Sequence, residues 1–176
     1  MFHRTQRLLL RPIWPEDWKI ILGGIADEGV VRNLARAPWP YTAEDAQAFA
    51  NLPVSDPRCP RFLIARARDG ALLGCIGLDE KDGIVELGYW IARPYWGQGI
   101  ATEAGQAVID VARMIGHTHL CAGHFVDNPA SGKVLRKLGF QPTGATTFRH
   151  SCGRGMKAPA HEYTLDLSTA EAMRAA

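Results

Sequence analysis

No stretch of this chain stays apolar long enough to cross a bilayer. Uninterrupted apolar runs such as Leu8-Leu9-Leu10 fall far short of the roughly 20 residues a spanning helix needs. An excess of one charge is lacking too. Twenty Lys and Arg against 18 Asp and Glu leave a net +2, which argues against a general nucleic-acid binder and allows only a local basic patch. The four cysteines, Cys59, Cys75, Cys121 and Cys152, form no C-x-x-C pair, and the N-terminus carries no basic-then-apolar leader. A reducing, cytoplasmic setting is therefore the expectation. Repeats, low-complexity segments and linkers are missing as well. A chain of 176 residues, 47% hydrophobic and 22% charged, is then expected to form one domain over residues 1–176 with its own core.

One spacing invites a metal. His117, His119 and Cys121 would share a face of a strand, and two histidines with a thiolate are zinc-ligand types. No fourth ligand stands at a recognisable spacing, so the stretch reads as a strand with a polar end and no metal is expected.

Along the chain, residues 6–12 read as an opening strand that Pro12 closes. Pro15 suits a first helical turn, with Glu16 and Asp17 where the helix dipole favours anions. The pair Gly23-Gly24 is expected to interrupt that helix, with a second short piece near residues 27–34. Pro38-Trp39-Pro40-Tyr41 is a loop, and Thr42 caps a helix running to about Leu52. The period then changes. Residues 62–68 and 72–78 read as strands joined by Asp69-Gly70, and Asp82-Gly83 turns into a third strand over 84–92. Ala101, Ala104, Val108, Val111 and Ile115 recur at helical spacing, and Gly116 stops that helix. A strand over 119–125, a helix over 128–138 ended by Gly139, and extended pieces near 140–148 and 161–167 follow. The alanine-rich tail after Ser168 reads as helical or frayed. The order implies a mixed α/β sandwich with helices on both faces of one sheet.

The segment from Tyr89 to Ala104 carries the chemistry. A strand runs into a turn holding Gly97 and Gly99, and a helix starts at once. Glycine lets the backbone turn with positive φ and lets a ligand come close, and the free N–H groups of a first helical turn bind phosphate. An anionic cofactor is expected here. Two familiar phosphate motifs are excluded. A P-loop needs Ser or Thr where Val134 follows Gly132-Lys133, and Asp127 stands where its first glycine belongs. A dinucleotide fingerprint needs a third small residue in place of Thr102 and a parallel βαβ unit in place of a meander.

Trp96-Gly97-Gln98-Gly99-Ile100-Ala101 resembles the pyrophosphate loop of the GNAT acetyltransferases, [QR]-x-x-G-x-[GA], with Trp96 where Gln or Arg is usual. Asn128-Pro129-Ala130-Ser131, Val134-Leu135 and Leu138-Gly139-Phe140 resemble a second motif of that superfamily, and residues 5–12 with Glu16-Asp17 match its RimJ/RimL-type branch. This resemblance covers Thr5 to about Leu167. It implies a GNAT fold, in which a mostly antiparallel sheet splays between two parallel strands, and an acetyl-CoA-dependent N-acetyltransferase. The acceptor would be a primary amine of a protein N-terminus or small molecule, and the protein a monomer or homodimer. The alternative is a CoA-binding sensor of the same fold that does no chemistry.

On the resemblance, Trp90, Ile91 and Ala92 would pair with pantetheine as a strand would, the amides of Gln98, Gly99, Ile100, Ala101 and Thr102 would hold the pyrophosphate, and Asn128 would cap the next helix and reach pantetheine. The superfamily's usual tyrosine acid falls on Leu135. Ser131 is the branch's substitute, and Glu86, on the meander's last strand, is the candidate base. Lys133, Arg136 and Lys137 read as a solvated helix face. The acceptor would meet residues 39–41 and a basic loop over 147–157, with Arg149, His150, Arg154 and Lys157, which favours an anionic acceptor.

Overall fold

The computed structural model describes residues 1–54 and 56–168, so the tail after Ser168 lies outside the described residues. Eight strands form one sheet in the order β1-β2-β3-β4-β5-β6-β8-β7. They are β1 (His3–Arg4), β2 (Leu8–Pro12), β3 (Arg61–Arg66), β4 (Leu72–Lys81), β5 (Ile84–Ile91), β6 (His119–Phe125), β7 (Gln141–Ser151) and β8 (Met156–Asp166). Five helices accompany them among the described residues: α1 (Trp18–Ile25), α2 (Glu28–Val31), α3 (Ala43–Ala50), α4 (Ile100–Met114) and α5 (Pro129–Lys137). No described helix is long and apolar enough to cross a membrane.

The hairpin turns sit where the Asp-Gly pairs place them. Asp82 and Gly83 both take positive φ, 54° and 78°, which lets β4 and β5 pair without offset from Gly74↔Ile91 to Lys81↔Ile84. Thr42 caps α3 and exchanges hydrogen bonds with Asp45. Gly139 ends α5 at φ 90°, and Phe140 beyond it is buried in the core.

The sheet separates two apolar layers. On one face, Val85, Leu87 and Ile91 of β5 join Leu120 and Ala122 of β6 against α4 and α5, through Ile100, Ala104, Val108, Leu135 and Leu138. On the other, Leu63, Cys75 and Trp90 pack against Ile21 and Ile25 of α1, Val30 and Val31 of α2, and Ala46 and Ala50 of α3. The period-two alternation of β5 therefore feeds both layers.

Two expectations are corrected. Gly23-Gly24 does not break the first helix, which runs on to Ile25. A Cβ on Gly24 would stand 2.8 Å from Leu72 Cδ2 and 3.3 Å from the Trp90 ring, so that glycine is a place where helix and sheet touch. Residues 147–157 do not form a loop. They belong to the hairpin of β7 and β8, paired from Gln141↔Thr164 to Ser151↔Met156, and β8 lies between β7 and β6.

Candidate active site

β5 and β6 are the parallel pair, and among the described residues they register at one position, Glu86↔Cys121. Beyond it the strands diverge. Which backbone groups of β5 face the opening follows from its other neighbour. Ala92 N–H donates to Leu73 C=O at 2.9 Å, so residues 86, 88, 90 and 92 spend their backbone groups on β4. Tyr89 and Ile91 turn theirs toward the gap. Of the three residues that sequence assigned to pantetheine, Ile91 thus faces the opening through its backbone, whereas Ala92 and Trp90 face β4. The Trp90 side chain is 7% exposed, buried beneath α1, and its indole N–H has no partner among the described residues.

At the end of β5 the chain makes a short 3-10 turn, Arg93–Tyr95, and reaches Gly97 and Gly99 at φ 73° and 75°. Gly99 is the N-cap of α4. Among the described residues no acceptor is paired with the backbone N–H groups of residues 97–102. Gln98, Gly99, Ile100, Ala101 and Thr102 therefore present a run of unspent donors at a helix N-terminus. Trp96, the departure from the usual motif, donates its indole N–H to Ile91 C=O at 2.6 Å and ties the loop back to β5. Arg7, which sequence left unassigned, braces it from the other side. Its guanidinium donates to Glu103 Oε2 at 2.6 Å and to Gln98 C=O at 3.1 Å, and lies 3.5 Å from where a Cβ of Gly99 would be. Burial works to raise the Glu103 carboxyl, and hydrogen bonds from Thr5 and Arg7 outweigh it, holding that group below its ordinary value.

On the α4 and α5 side of the gap, Asn128 caps α5 and accepts from Ser131 N–H at 3.4 Å, with Pro129 at the first helical position. Leu135, at the usual tyrosine position, is 1% exposed and belongs to the core. A tyrosine reaches this place from elsewhere. The Tyr89 hydroxyl lies 2.7 Å from Ser131 Oγ, and burial, partly offset by that hydrogen bond, pushes the phenol up to about 12. Beneath α5, His124 meets Gly132 so closely that a Cβ there would stand 2.6 Å from Nε2. Its Nδ1 lies 2.8 Å from Phe125 C=O, and burial lowers its pKa.

On the opposite face, Glu86 is paired with Arg149 through Oε1. Arg149 also donates to Glu162, at 2.8 Å from Nε and 2.6 Å from Nη2. Burial opposes the Arg149 charge, but the two carboxylates raise its pKa, and Arg149 in turn holds Glu162 below its ordinary value against burial. The guanidinium lies over Gly123, where a Cβ would stand 2.9 Å from its carbon, while a Cβ on Gly88 would meet nothing among the described residues within 4 Å. Beside Glu86, the strand floor at Gly88 is open. Arg154 donates to both oxygens of Asp127, at 2.8 and 2.7 Å. Two of the four charges that suggested an anionic acceptor, Arg149 and Arg154, are thus paired with carboxylates within the protein.

His117, His119 and Cys121 are not brought together as ligands. His117 is buried with Nε2 2.7 Å from Arg58 C=O, His119 faces Asp166 at the surface, and Cys121 lies beside Glu86 and Glu162, its thiol raised first by burial and then by those carboxylates.

With this geometry in hand, comparison with known proteins is direct. Residues 7–141 match the acetyltransferase (GNAT) domain. The uncharacterized N-acetyltransferase YoaA of Bacillus subtilis is 32% identical over 148 residues, which span 80% of this chain and 82% of that protein. The crystal structure of a GNAT-family acetyltransferase from Bacillus anthracis is similar at a TM-score of 0.82, 22% identity, over 96% of this chain and 99% of that one. RimL, a ribosomal alpha-N-protein acetyltransferase solved in complex with coenzyme A, is similar at 0.79 and 17% identity, over 94% and 98%. Likeness at such identities speaks to the fold: a GNAT sheet with its splayed parallel pair.

Proposed function

Because the chain belongs to the GNAT acetyltransferases, we propose that it transfers the acetyl group of acetyl-CoA directly to a primary amine, of a protein N-terminus or a small molecule, in the cleft where β5 and β6 part. The observation that carries this reading is the run of unspent amides on residues 97–102, placed at the mouth of that cleft. A pyrophosphate fits there without a side chain, because the donors are backbone and α4 supplies its dipole. Tyr89 offers its backbone and Ile91 its N–H, the Ile91 C=O being taken by Trp96, to a pantetheine amide, and Asn128 adds its side chain from the far wall. Acetyl-CoA supplies the thioester whose C–S bond is broken.

The chain's own residues then divide the work. The Tyr89 N–H, turned into the gap, polarises the acetyl carbonyl. Glu86 takes a proton from the incoming ammonium, directly or through water. Arg149 holds Oε1, leaving Oε2 for that purpose. The open floor at Gly88 gives the amine room on the Glu86 side, opposite Ser131. Ser131 gives a proton to the departing sulfur, so the transfer forms an amide C–N bond and a free thiol. Holding both reactants in line contributes most of the rate. The test is thiol release from acetyl-CoA on a panel of peptide N-termini, polyamines and aminoglycosides. Release that rises with an amine, with an acetylated product of matching mass, is the expected result. CoA binding with no amine-dependent release on any panel member would overturn catalysis in favour of a sensor.

A further inference from the structure

The mechanism above leaves Ser131 as a weak acid with no evident means of recovering its proton, and the structure places one beside it. We infer that Tyr89 and Ser131 act as a donor pair, in which the phenol positions the serine hydroxyl toward the thioester sulfur and resupplies its proton; this rests on the acetyl-transfer reading above. The two residues come from opposite walls of the cleft, Tyr89 from β5 and Ser131 from the helix that follows β6, and their oxygens are 2.7 Å apart. The surroundings of the phenol favour one direction for that contact. The Tyr89 ring packs against the main core, and among the described residues Ser131 Oγ is the one partner its hydroxyl reaches. A phenol so placed donates its single proton to that oxygen. The Ser131 hydrogen is then turned away from Tyr89 and is free for an acceptor in the gap.

The step balances. As the C–S bond breaks, the electron pair stays on sulfur, the sulfur takes the Ser131 proton, Ser131 takes the Tyr89 proton, water returns a proton to the phenolate, and the hydroxide so left takes the second proton from the newly acylated nitrogen. Burial, which keeps the phenol protonated to about 12, leaves the pair loaded at any working pH. The other titratable groups on the adjoining elements do not compete for the role. His124 lies under Gly132 and is depressed by burial, and Lys133 and Arg136 lie on exposed positions of α5. The pair also explains why Leu135 can be an ordinary core residue: the phenol comes from β5 instead of α5.

The test needs no acceptor. CoA is bound to the wild type and to Tyr89→Phe, Ser131→Ala and the double variant, and the thiol of the bound CoA is titrated by its ultraviolet thiolate absorbance, with the desulfo-CoA complex as blank. A hydroxyl aimed at sulfur stabilises the thiolate, so the bound thiol should titrate about one pH unit higher in Ser131→Ala and part of that way in Tyr89→Phe. The double variant should match Ser131→Ala alone, because Tyr89 acts only through the serine. CoA affinity near neutral pH should be unchanged in all four proteins. A Tyr89→Phe thiol that titrates as in wild type, or a shift in the double variant equal to the sum of the singles, overturns the pair. Wild-type protein that fails to bind CoA overturns the acetyl-transfer reading itself, a distinct outcome read before any titration begins.

Discussion

The two halves of the cleft are built from different materials. At the mouth, the loop over residues 97–102 is made of backbone: two glycines at positive φ and a row of amides at the head of α4. Deeper in, the wall over Gly88 and Gly123 is made of side chains, with Arg149 clamped between Glu86 and Glu162. A backbone site depends on conformation and tolerates the exchange of Gln or Arg for Trp96, whose indole serves as a brace. A side-chain site depends on the identity of each group and on strands far apart in sequence. On the acetyl-transfer reading proposed above, the first would suit an invariant ligand and the second would be where an acceptor is chosen.

The sharpest way to break this comparison is Gly99→Val. It imposes φ 75° on a β-branched residue and puts methyl groups where phosphate must approach, so CoA affinity should fall by about 10²-fold or more in calorimetry. Undiminished affinity would remove the loop as the cofactor site. Next comes Glu86→Gln. It should leave CoA affinity at the wild-type level while kcat drops by about 10²-fold, and the pH dependence of kcat, followed from roughly pH 6 to 10, should change. An unchanged profile would leave water as the proton acceptor and the ion pair with Arg149 as a purely structural link. The smallest effect tests neither wall. Gly139→Val, at φ 90° with only Leu165 Cδ1 near its Cβ position at 3.6 Å, carries backbone strain with little crowding. A loss on the order of 1 kcal/mol, seen as a melting midpoint about 2–4 °C lower, should come with unchanged CoA affinity.

The same division governs what could be read before the fold was known. Glycines, caps and Asp-Gly turns act within a few residues, so the meander, the loop at Gly99 and the cap at Gly139 were legible directly. Gly24 misled because its reason is a contact with Trp90, 66 residues on in the chain and invisible to local pattern. Arg149 was noticed as a charge and misplaced on a loop, since its partners Glu86 and Glu162 meet it only once β8 lies between β7 and β6. Tyr89 was passed over because β5 alternates, and its parity alone marked it as an apolar-face residue. Only the arrival of α5 over the gap gives its hydroxyl a partner.

The order β6-β8-β7 has a consequence for how the protein comes into being. β6 pairs along its whole length, from His119↔Asp166 to Phe125↔Ala160, with the last strand described. While the chain is being synthesised, residues up to Ser151 can emerge as the meander, α4 and α5, yet β6 then has one edge touching β5 at a single register and the other edge bare. The glycine loop therefore precedes β8 in the chain, and the second clamp on Arg149, from Glu162, comes only with that strand. Until β8 forms, β6 keeps a bare edge open to pairing with other chains, and the arrival of β8 closes sheet and clamp together.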